Sequence, residues 1–265
     1  NSWGTNSDCS SRSNCRTAVG TGFFDNWEDI GQLDTPKISV FAAGNDSESE
    51  PSLECQTMKY DADLYNVSVC VVATSHSASG SGYSQGKGKI ATFSNKCGSV
   101  SDYCIAAPGD GLWNLNYSGG HTTKNGTSMA APMVSGGIAL LKQAFPNHTP
   151  AQLTDRVLAS ANNSWFTASG STTFTTHGAS IRHGYSDTWG HGLPDFHAAL
   201  SPITSNANPA SFMLGQSLSS GYANSGERHS LSSSSLSLSS ALASSGLAQG
   251  ISGTKAYFYD ALAGG

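Results

Sequence analysis

One apolar segment constrains the fold of this chain more than any other. Residues 129–145 are mostly small or apolar, and Pro146 ends the run. A helix that is apolar nearly all round belongs inside a domain rather than on its surface, so we expect a buried central helix. Gly136 and Gly137 would each cost about 1 kcal/mol relative to alanine within it, which indicates that a neighbouring element approaches closely.

Short apolar runs elsewhere predict a sheet around this helix. Residues 37–43 and 65–73 are rich in β-branched side chains, as buried strands are, and residues 90–93 are a shorter third candidate. After the central helix, Thr149, Pro150 and Gln152 form the capping box of another, amphipathic helix. Strands that precede helices in this order predict an α/β fold, in which helices cover both faces of a parallel sheet.

The chain divides into two parts by composition. Residues 1–203 have the mixed composition of a globular domain, whereas 13 of the 30 residues in 211–240 are serine and no charged residue occurs in 231–254. We expect residues 204–265 to form a Ser-rich linking or stalk segment. Recurring leucines in it favour a β-rich structure over a flexible linker.

Composition also argues against some classes of function. A net charge of −5 and 12% charged residues are unlike the basic footprint of a nucleic-acid-binding protein. No apolar run reaches the roughly 20 residues of a membrane-spanning helix. Six cysteines suit an extracytoplasmic protein with disulfides. Proximity favours the pairs Cys9–Cys15 and Cys97–Cys104 and leaves Cys55–Cys70, with reduced, buried thiols as the alternative.

Ser128 is the best candidate for a catalytic residue. It follows Gly126 and Thr127 at the start of the predicted helix, where unpaired N–H groups and the positive end of the helix dipole face a developing negative charge. A nucleophilic serine needs such an oxyanion site together with a base. Taken alone, Gly-Thr-Ser before a helix is an N-cap, so further motifs have to decide between the two interpretations.

Those motifs are present, in a consistent order. The segment GTSMAAPMVSG at 126–136 resembles, nearly residue for residue, the serine signature of the subtilisin-like serine peptidases, the subtilases. The segment VFAAGND at 40–46 resembles the strand and loop that carry this family's oxyanion-hole asparagine, which assigns that role to Asn45. Loss of such a donor typically costs about 3 to 4 kcal/mol in the transition state.

Three further segments extend the resemblance over residues 1–200. AAPG at 106–109 resembles the loop before the serine motif, and WGHGLPD at 189–195 resembles the Gly-x-Gly-x-x-Asp segment that closes the catalytic domain. NSWG at 1–4 resembles the strand that pairs with substrate, which makes Ser2, Trp3 and Gly4 candidate substrate-binding residues. The resemblance implies a three-layer, subtilisin-like sheet and protein or peptide substrates.

The sequence departs from the family's pattern at two catalytic residues. Subtilases carry their Asp and base His in Asp-Thr/Ser-Gly and His-Gly-Thr-His contexts, and neither context occurs in these 265 residues. The family's order Asp, His, Ser places both upstream of Asn1, so we expect a peptidase domain incomplete at its N-terminus. His121 is expected to be a solvent-exposed loop residue, and Asp102 and Asp110 are expected to be surface loop residues, rather than triad members. Loss of the triad leaves only about 10³ to 10⁴-fold acceleration, so the chain alone should have little or no activity.

Several features resemble one kind of subtilase. The Cys97–Cys104 insertion, the NSWG opening and the tail are similar to the autotransporter subtilases of Gram-negative bacteria, in which a membrane β-barrel follows the peptidase. The resemblance implies an exported parent, secreted or at the cell surface, that contacts a membrane only through a C-terminal barrel absent from these residues. Subtilases often bind calcium, but Asp46, Glu48 and Glu50 are typical of a solvated loop, so we expect no cofactor and no metal.

Other functions compete with that of a serine endopeptidase. A non-catalytic surface or adhesin-like module with a degenerate subtilase fold is the main alternative, and the sequence before Asn1 in the gene distinguishes the two. Sedolisin-like peptidases use an oxyanion Asp where this chain has Asn45. The α/β-hydrolases need glycine two residues after the nucleophile, where this chain has Ala130.

Overall fold

A three-stranded parallel sheet organises the residues that the computed structural model describes, which are 8–33, 37–75, 89–176 and 180–200. The α-helices in these ranges are α1 (Arg12–Ala18), α2 (Thr21–Gln32), α3 (Leu53–Met58), α4 (Ala62–Tyr65), α5 (Thr127–Ala144), α6 (Pro150–Ala159) and α7 (Phe196–Leu200), and a 3₁₀ helix covers Gly98–Tyr103. The strands are β1 (Ser39–Ala42), β2 (Ser68–Thr74), β3 (Cys104–Pro108), β4 (Leu112–Leu115), β5 (His121–Lys124), β6 (Gly170–Phe174) and β7 (Ile181–Tyr185).

The parallel sheet has the order β1-β2-β3, with β2 in the centre. All seven residues of β2 are buried, as expected for a parallel strand that is covered on both faces. The Trp27 ring of α2 lies 4.6 Å from the Phe41 ring, and Cys55 of α3 is bonded to Cys70, which pairs with Phe41 in register. Helices α2 and α3 therefore cover one face of the sheet.

Helix α5 packs on the opposite face and contacts all three strands. Ala73 and Ala130 approach each other so closely that a side chain at Gly109 would meet both of their Cβ atoms. Ala73 points away from the face that Cys70 occupies, because successive side chains of a strand alternate between faces. These contacts confirm the α/β fold with helices on both faces of a parallel sheet, and they confirm strands within 37–43 and 65–73.

The third strand is not where the sequence pattern predicted it. Residues 90–93 make only an isolated antiparallel bridge between Ile90 and Thr74, after which a turn is closed by the Ser94 N–H bond to the Ala91 carbonyl. The third parallel strand is β3, which includes three residues of the AAPG segment that resembled a loop. Its short run of small residues carried little β-strand signal, yet most of it is buried against β2.

The central helix was predicted in the right place but with too much burial. Its inner face is buried, including Ala130, Val134 and Leu141. On its outer face, Met133 is 46% and Leu140 61% exposed in the described part of the chain, because the sheet packs on one side only. Gly137 does mark a close approach, since a Cβ there would lie 1.8 Å from the Phe196 ring.

Two further predictions are confirmed by contacts. The capping box of α6 forms with both of its hydrogen bonds, from the Gln152 N–H to the Thr149 hydroxyl and from the Thr149 N–H to the Gln152 side chain. All six cysteines are bonded, in the two pairs that proximity favoured and in the third pair that these left over. The Ser-rich segment 204–265 lies outside the described residues. Among the helices within them, none has the length and hydropathy to cross a membrane.

Candidate active site

The serine motif lies where the carboxyl ends of β1 and β3 meet the start of α5. The Gly126 N–H donates to the Gly109 carbonyl at 2.7 Å, which ties the serine loop to the residue that follows β3. A Cβ at Gly109 would lie 2.5 Å from the Ala73 Cβ and 2.8 Å from the Gly126 carbonyl oxygen, so glycine is needed there. Ligands of parallel α/β sheets bind at this edge, beyond the carboxyl ends of the strands.

Asn45, on the loop after β1, contacts the residue before Ser128. Its Oδ1 atom accepts from the Thr127 N–H at 2.8 Å and from the Thr127 hydroxyl at 3.0 Å. The Thr127 hydroxyl in turn accepts from the Gly44 N–H at 3.2 Å. With Oδ1 occupied, the Nδ2 group of Asn45 is the end of the amide left to donate, and no bond from it to another described residue is found. An exposed amide donor is thereby held in one orientation beside the start of α5.

A second asparagine holds the Asn45 loop in place. The Asn95 Oδ1 atom accepts from the Asp46 N–H at 2.9 Å and the Glu48 N–H at 3.1 Å, and its own N–H donates to the Gly44 carbonyl. Its side chain is buried, and a Cβ at Gly44, where φ is +104°, would lie 2.5 Å from it. Sequence reasoning missed Asn95 and the bonding role of Thr127, because neither loop-to-loop pairing has a local signature.

Ser128 is the second residue of α5 and is partly exposed. Gly126 precedes the helix with φ +146° and ψ +151°, a backbone conformation that favours glycine, and so turns the chain sharply into the helix. The N–H groups of a first helical turn have no intrahelical partner, and their dipoles favour an anion. In the described residues the Ser128 hydroxyl contacts no histidine and no carboxylate, so no base is seen beside it.

The other candidate residues lie elsewhere or outside the described ranges. Ser2, Trp3 and Gly4 belong to residues 1–7, which are outside them. His121 is exposed on β5, with its ring 5.9 Å from that of Trp113. Asp102 and Asp110 are both half-buried. Tyr65 donates to the Asp102 carboxylate at 2.8 Å and Ser75 donates to the Asp110 carboxylate at 2.9 Å, and no bond from either aspartate to Ser128 is found among the described residues.

The acidic groups of the described chain do not resemble a calcium site. Asp46 and Glu48 are exposed, as predicted, and Glu50 accepts from the Ser99 N–H at 2.9 Å. Glu28, Asp61 and Asp63 do cluster, but Arg12 pairs with the first two and Gln32 donates to the third. Calcium takes six to eight oxygen ligands, whereas this cluster offers three carboxylates, each of which already bonds to a side chain.

Known proteins are similar to this chain. The model of the Subtilase family matches residues 1–192. Serotype-specific antigen 1 of Mannheimia haemolytica is 31% identical over 133 residues, which are 48% of this chain and 13% of that protein. Extracellular serine protease of Serratia marcescens is 25% identical over 150 residues, again 48% of this chain and 13% of that protein. The chain thus spans a small part of the length of these curated relatives.

Solved structures of related folds are more distant. The structure of the subtilase cytotoxin SubAB assembly has a TM-score of 0.46 at 18% identity and covers 74% of this chain and 55% of that one. The prenylagaramide maturation protease PagA has a TM-score of 0.42 at 22% identity, covering 62% and 49%. The family match is the decisive comparison, since it spans 192 of the 265 residues. On that match, the chain belongs to the subtilase family of serine peptidases.

Proposed function

We propose that this chain carries the nucleophile and the oxyanion hole of a serine endopeptidase. Ser128 attacks the scissile carbonyl and forms an acyl-enzyme, while Asn45 Nδ2 and the Ser128 N–H donate to the oxyanion. The observation that carries the proposal is the double contact of Asn45 Oδ1 with Thr127 at 2.8 and 3.0 Å. It orients a side-chain donor beside the nucleophile before any substrate binds, which is how an oxyanion hole stabilises the transition state.

We propose that the catalytic Asp and His come from sequence that precedes Asn1 in the parent protein. Neither family context for these residues occurs in the 265 residues, and Ser128 has no base among its described contacts. A serine hydroxyl is a weak nucleophile without a base. The chain by itself is therefore a peptidase domain with half of its catalytic site, and residues 204–265 are a linking segment that follows it.

The substrates of the parent are proteins or peptides, and its compartment is extracytoplasmic. Ser2, Trp3 and Gly4 are proposed to pair with the substrate backbone, as the corresponding family segment does. Three disulfides suit an oxidising compartment outside the cytoplasm. An autotransporter-type parent, secreted or held at a Gram-negative cell surface, is the form of export that the insertion and tail favour.

The test compares the isolated chain with the longer protein that the gene encodes upstream of Asn1. Both are treated with a fluorophosphonate probe, which labels activated serines, and both are assayed with an unstructured protein substrate. We expect labelling and hydrolysis by the longer protein only. Ser128→Ala should abolish both, and Asn45→Ala should lower kcat about 10² to 10³-fold with little change in KM.

Matched substitutions separate chemistry from folding. Ser135→Ala alters an exposed serine on the same helix, and Asn147→Ala alters an exposed loop asparagine, so both variants should hydrolyse like the unaltered protein. A longer protein that folds but neither labels nor hydrolyses would instead support the non-catalytic surface module. Robust hydrolysis by the isolated chain, lost in Ser128→Ala, would show that its base lies within these 265 residues.

A further inference from the structure

Two histidines are fully buried at the start of β3, away from the serine loop. His183 of β7 and His191 each have 0% exposure. Their Nδ1 atoms are 2.8 Å apart, His183 Nε2 lies 2.9 Å from the Ala161 carbonyl oxygen, and His191 Nε2 lies 3.0 Å from the Asp102 carbonyl oxygen. All four ring nitrogens of the pair are thus engaged in three contacts.

The number of protons that these contacts require is fixed by their chemistry. A carbonyl oxygen only accepts, so each Nε2 must carry a proton to make a hydrogen bond. The Nδ1 atoms need one further proton between them, which makes three. Two neutral imidazoles carry only two protons, so every neutral arrangement leaves one of the three contacts without hydrogen. Two fully protonated rings carry four, which would set two N–H donors against each other.

We propose that His183 and His191 form a buried site for one shared proton, held between their Nδ1 atoms, and that acidification fills this site before it breaks the pair. With one excess proton, all three contacts become hydrogen bonds and the pair carries a single positive charge. A second excess proton has no acceptor within the pair and pushes the two rings apart.

Burial opposes the charge and sets the direction of the pH response. Burial lowers the pKa of His183 to about 4. Burial also lowers the pKa of His191, and the neighbouring His183 lowers it further. In the unfolded chain both rings titrate near 6.5. Above that pH the folded and unfolded states hold the same protons. As the pH falls below it, the unfolded state takes up protons first, so stability is lost progressively toward pH 4.

Among the described residues, the carboxylates near the pair accept hydrogen bonds from other groups. Asp102 accepts from Tyr65, Asp187 from Ser169 and Asp155 from Thr176, while Asp195 accepts from the Ala198 N–H. The Arg156 guanidinium lies over the Phe145 ring. The aromatic rings of Phe174 and Tyr185 lie 5.4 and 5.7 Å from that of His191. The shared proton is therefore stabilised by the three contacts themselves. The titratable or charged residues on the packed elements include Asp102, Tyr103, Asp155, Arg156, Arg182, Tyr185, Asp187 and Asp195.

The pair is joined to strand β3 by backbone bonds on either side of His191. The His191 N–H donates to the Cys104 carbonyl at 2.8 Å, and the Ala106 N–H donates to the Gly192 carbonyl at 2.8 Å. Separation of the two rings at acid pH pulls on this edge of β3. The site is thus a proton sensor built into the strand whose far end holds the serine loop.

Long-range ¹H–¹⁵N correlation spectra of the full 265-residue chain test the site directly, because they report which ring nitrogens carry protons. At pH 7.5 we expect two N–H groups across the pair. On acidification both rings should change together with one midpoint below 6.5, and a third N–H should appear on Nδ1. Two independent midpoints near 6.5, or no third N–H before the protein unfolds, would overturn the proposal.

Urea unfolding provides a second readout. At pH 5.5 the histidine pair should contribute between about one and two protons to the uptake on unfolding, derived from the pH dependence of the unfolding free energy. The double variant His183→Asn, His191→Asn gives the uptake of the rest of the chain, including the opposite contribution of Asp155, so the difference between the two proteins is the contribution of the pair. His121→Gln, at an exposed histidine, is the matched control and should leave uptake unchanged. Equal uptake in the double variant and the unaltered chain would contradict the proposal, because two rings with ordinary pKa values take up no protons on unfolding.

Discussion

The polar groups at the two ends of strand β3 differ in their exposure and in their hydrogen bonding. Beyond its last residue, the serine loop leaves the exposed Asn45 amide group with a donor that faces the outside of the domain. At its first residue, Cys104, the polar groups of the backbone and of the histidine pair are hydrogen-bonded within the protein, and both histidines are fully buried. Both ends contain glycines with positive φ, namely Gly126 and Gly190.

The difference shows how one strand can support both the proposed oxyanion site and a stable core. An oxyanion hole requires donors that have no protein acceptor, and such donors are tolerable only where water or a ligand can reach them. The same donors in the interior must be paired, because an unsatisfied buried group costs about 1 to 3 kcal/mol. We therefore expect substitutions at the histidine end to affect folding most, and substitutions at the serine end to affect chemistry most.

The largest effect is expected for Gly190→Ala. The glycine has φ +56°, and a Cβ there would lie 2.0 Å from the Cys104 carbonyl oxygen, which is backbone and cannot move aside. The combined cost of the conformation and the overlap should be about 4 kcal/mol in the free energy of unfolding. Urea unfolding measures it. A loss below about 1 kcal/mol would mean that this end of β3 is not packed as tightly as the contacts indicate.

Gly126→Ala is the matched substitution at the serine end and should cost less. Its φ of +146° is unfavourable for alanine, but the nearest atom to an added Cβ is 3.6 Å away, so only the conformational cost of about 2 kcal/mol applies. In the longer parent the same change should also lower kcat, because it alters the turn that presents Ser128. A larger loss of stability in Gly126→Ala than in Gly190→Ala would reverse the comparison.

Sequence patterns predicted the elements of this chain that have local signals better than the features that depend on long-range packing. Strands β1 and β2, helices α5 and α6 and the three disulfide pairs followed from periodicity, capping residues and proximity, because each of these signals is local. Strand β3 was missed, since small residues in the centre of a sheet are chosen by the packing of α5 against Ala73 rather than by β propensity.

The same limit applies to the site. Ser128 and Asn45 were chosen as candidates by motif. Thr127, which bonds to Asn45, and Asn95, which bonds to the Asn45 loop, act across 82 and 49 or 47 positions of sequence separation. The histidine pair has no motif either. His191 lies in the segment WGHGLPD, which marked the family through its glycines and aspartate, and nothing in that segment indicates a partner at His183.

Thr127→Val tests whether the hydroxyl orients the Asn45 amide. Valine keeps the volume of this fully buried residue but removes the donor to Asn45 Oδ1 and the acceptor of the Gly44 N–H. The free energy of unfolding should fall by about 1 to 2 kcal/mol. In the longer parent, kcat should fall while KM stays near its original value. Thr127→Ser keeps the hydroxyl and should retain kcat. Equal values of kcat in the two variants would mean that the Thr127 hydroxyl does not orient the Asn45 amide.

The smallest effect is expected at Asp155, beside the histidine end. Burial raises the pKa of its carboxyl to about 6, with only the Thr176 hydroxyl, at 2.8 Å, as an opposing hydrogen bond. The folded state therefore favours the neutral acid, and ionisation lowers stability as the pH rises from 3.8 through about 6. Asp155→Asn can still accept from Thr176. This variant should be more stable than the unaltered chain by about 1 kcal/mol at pH 7.5, a value that is discounted for partial exposure. At pH 4 the two proteins should be equally stable.

Asp46→Asn gives the matched comparison at the serine end, because this exposed carboxylate adjoins Asn45. Its unfolding free energy should change by less than about 0.5 kcal/mol at either pH, as expected for a surface substitution. Urea titrations of both variants at pH 4 and 7.5 measure the difference. If Asp46→Asn shows the pH-dependent gain and Asp155→Asn does not, the desolvated carboxyl lies at the serine end, and the contrast between the two ends of β3 fails for charged groups.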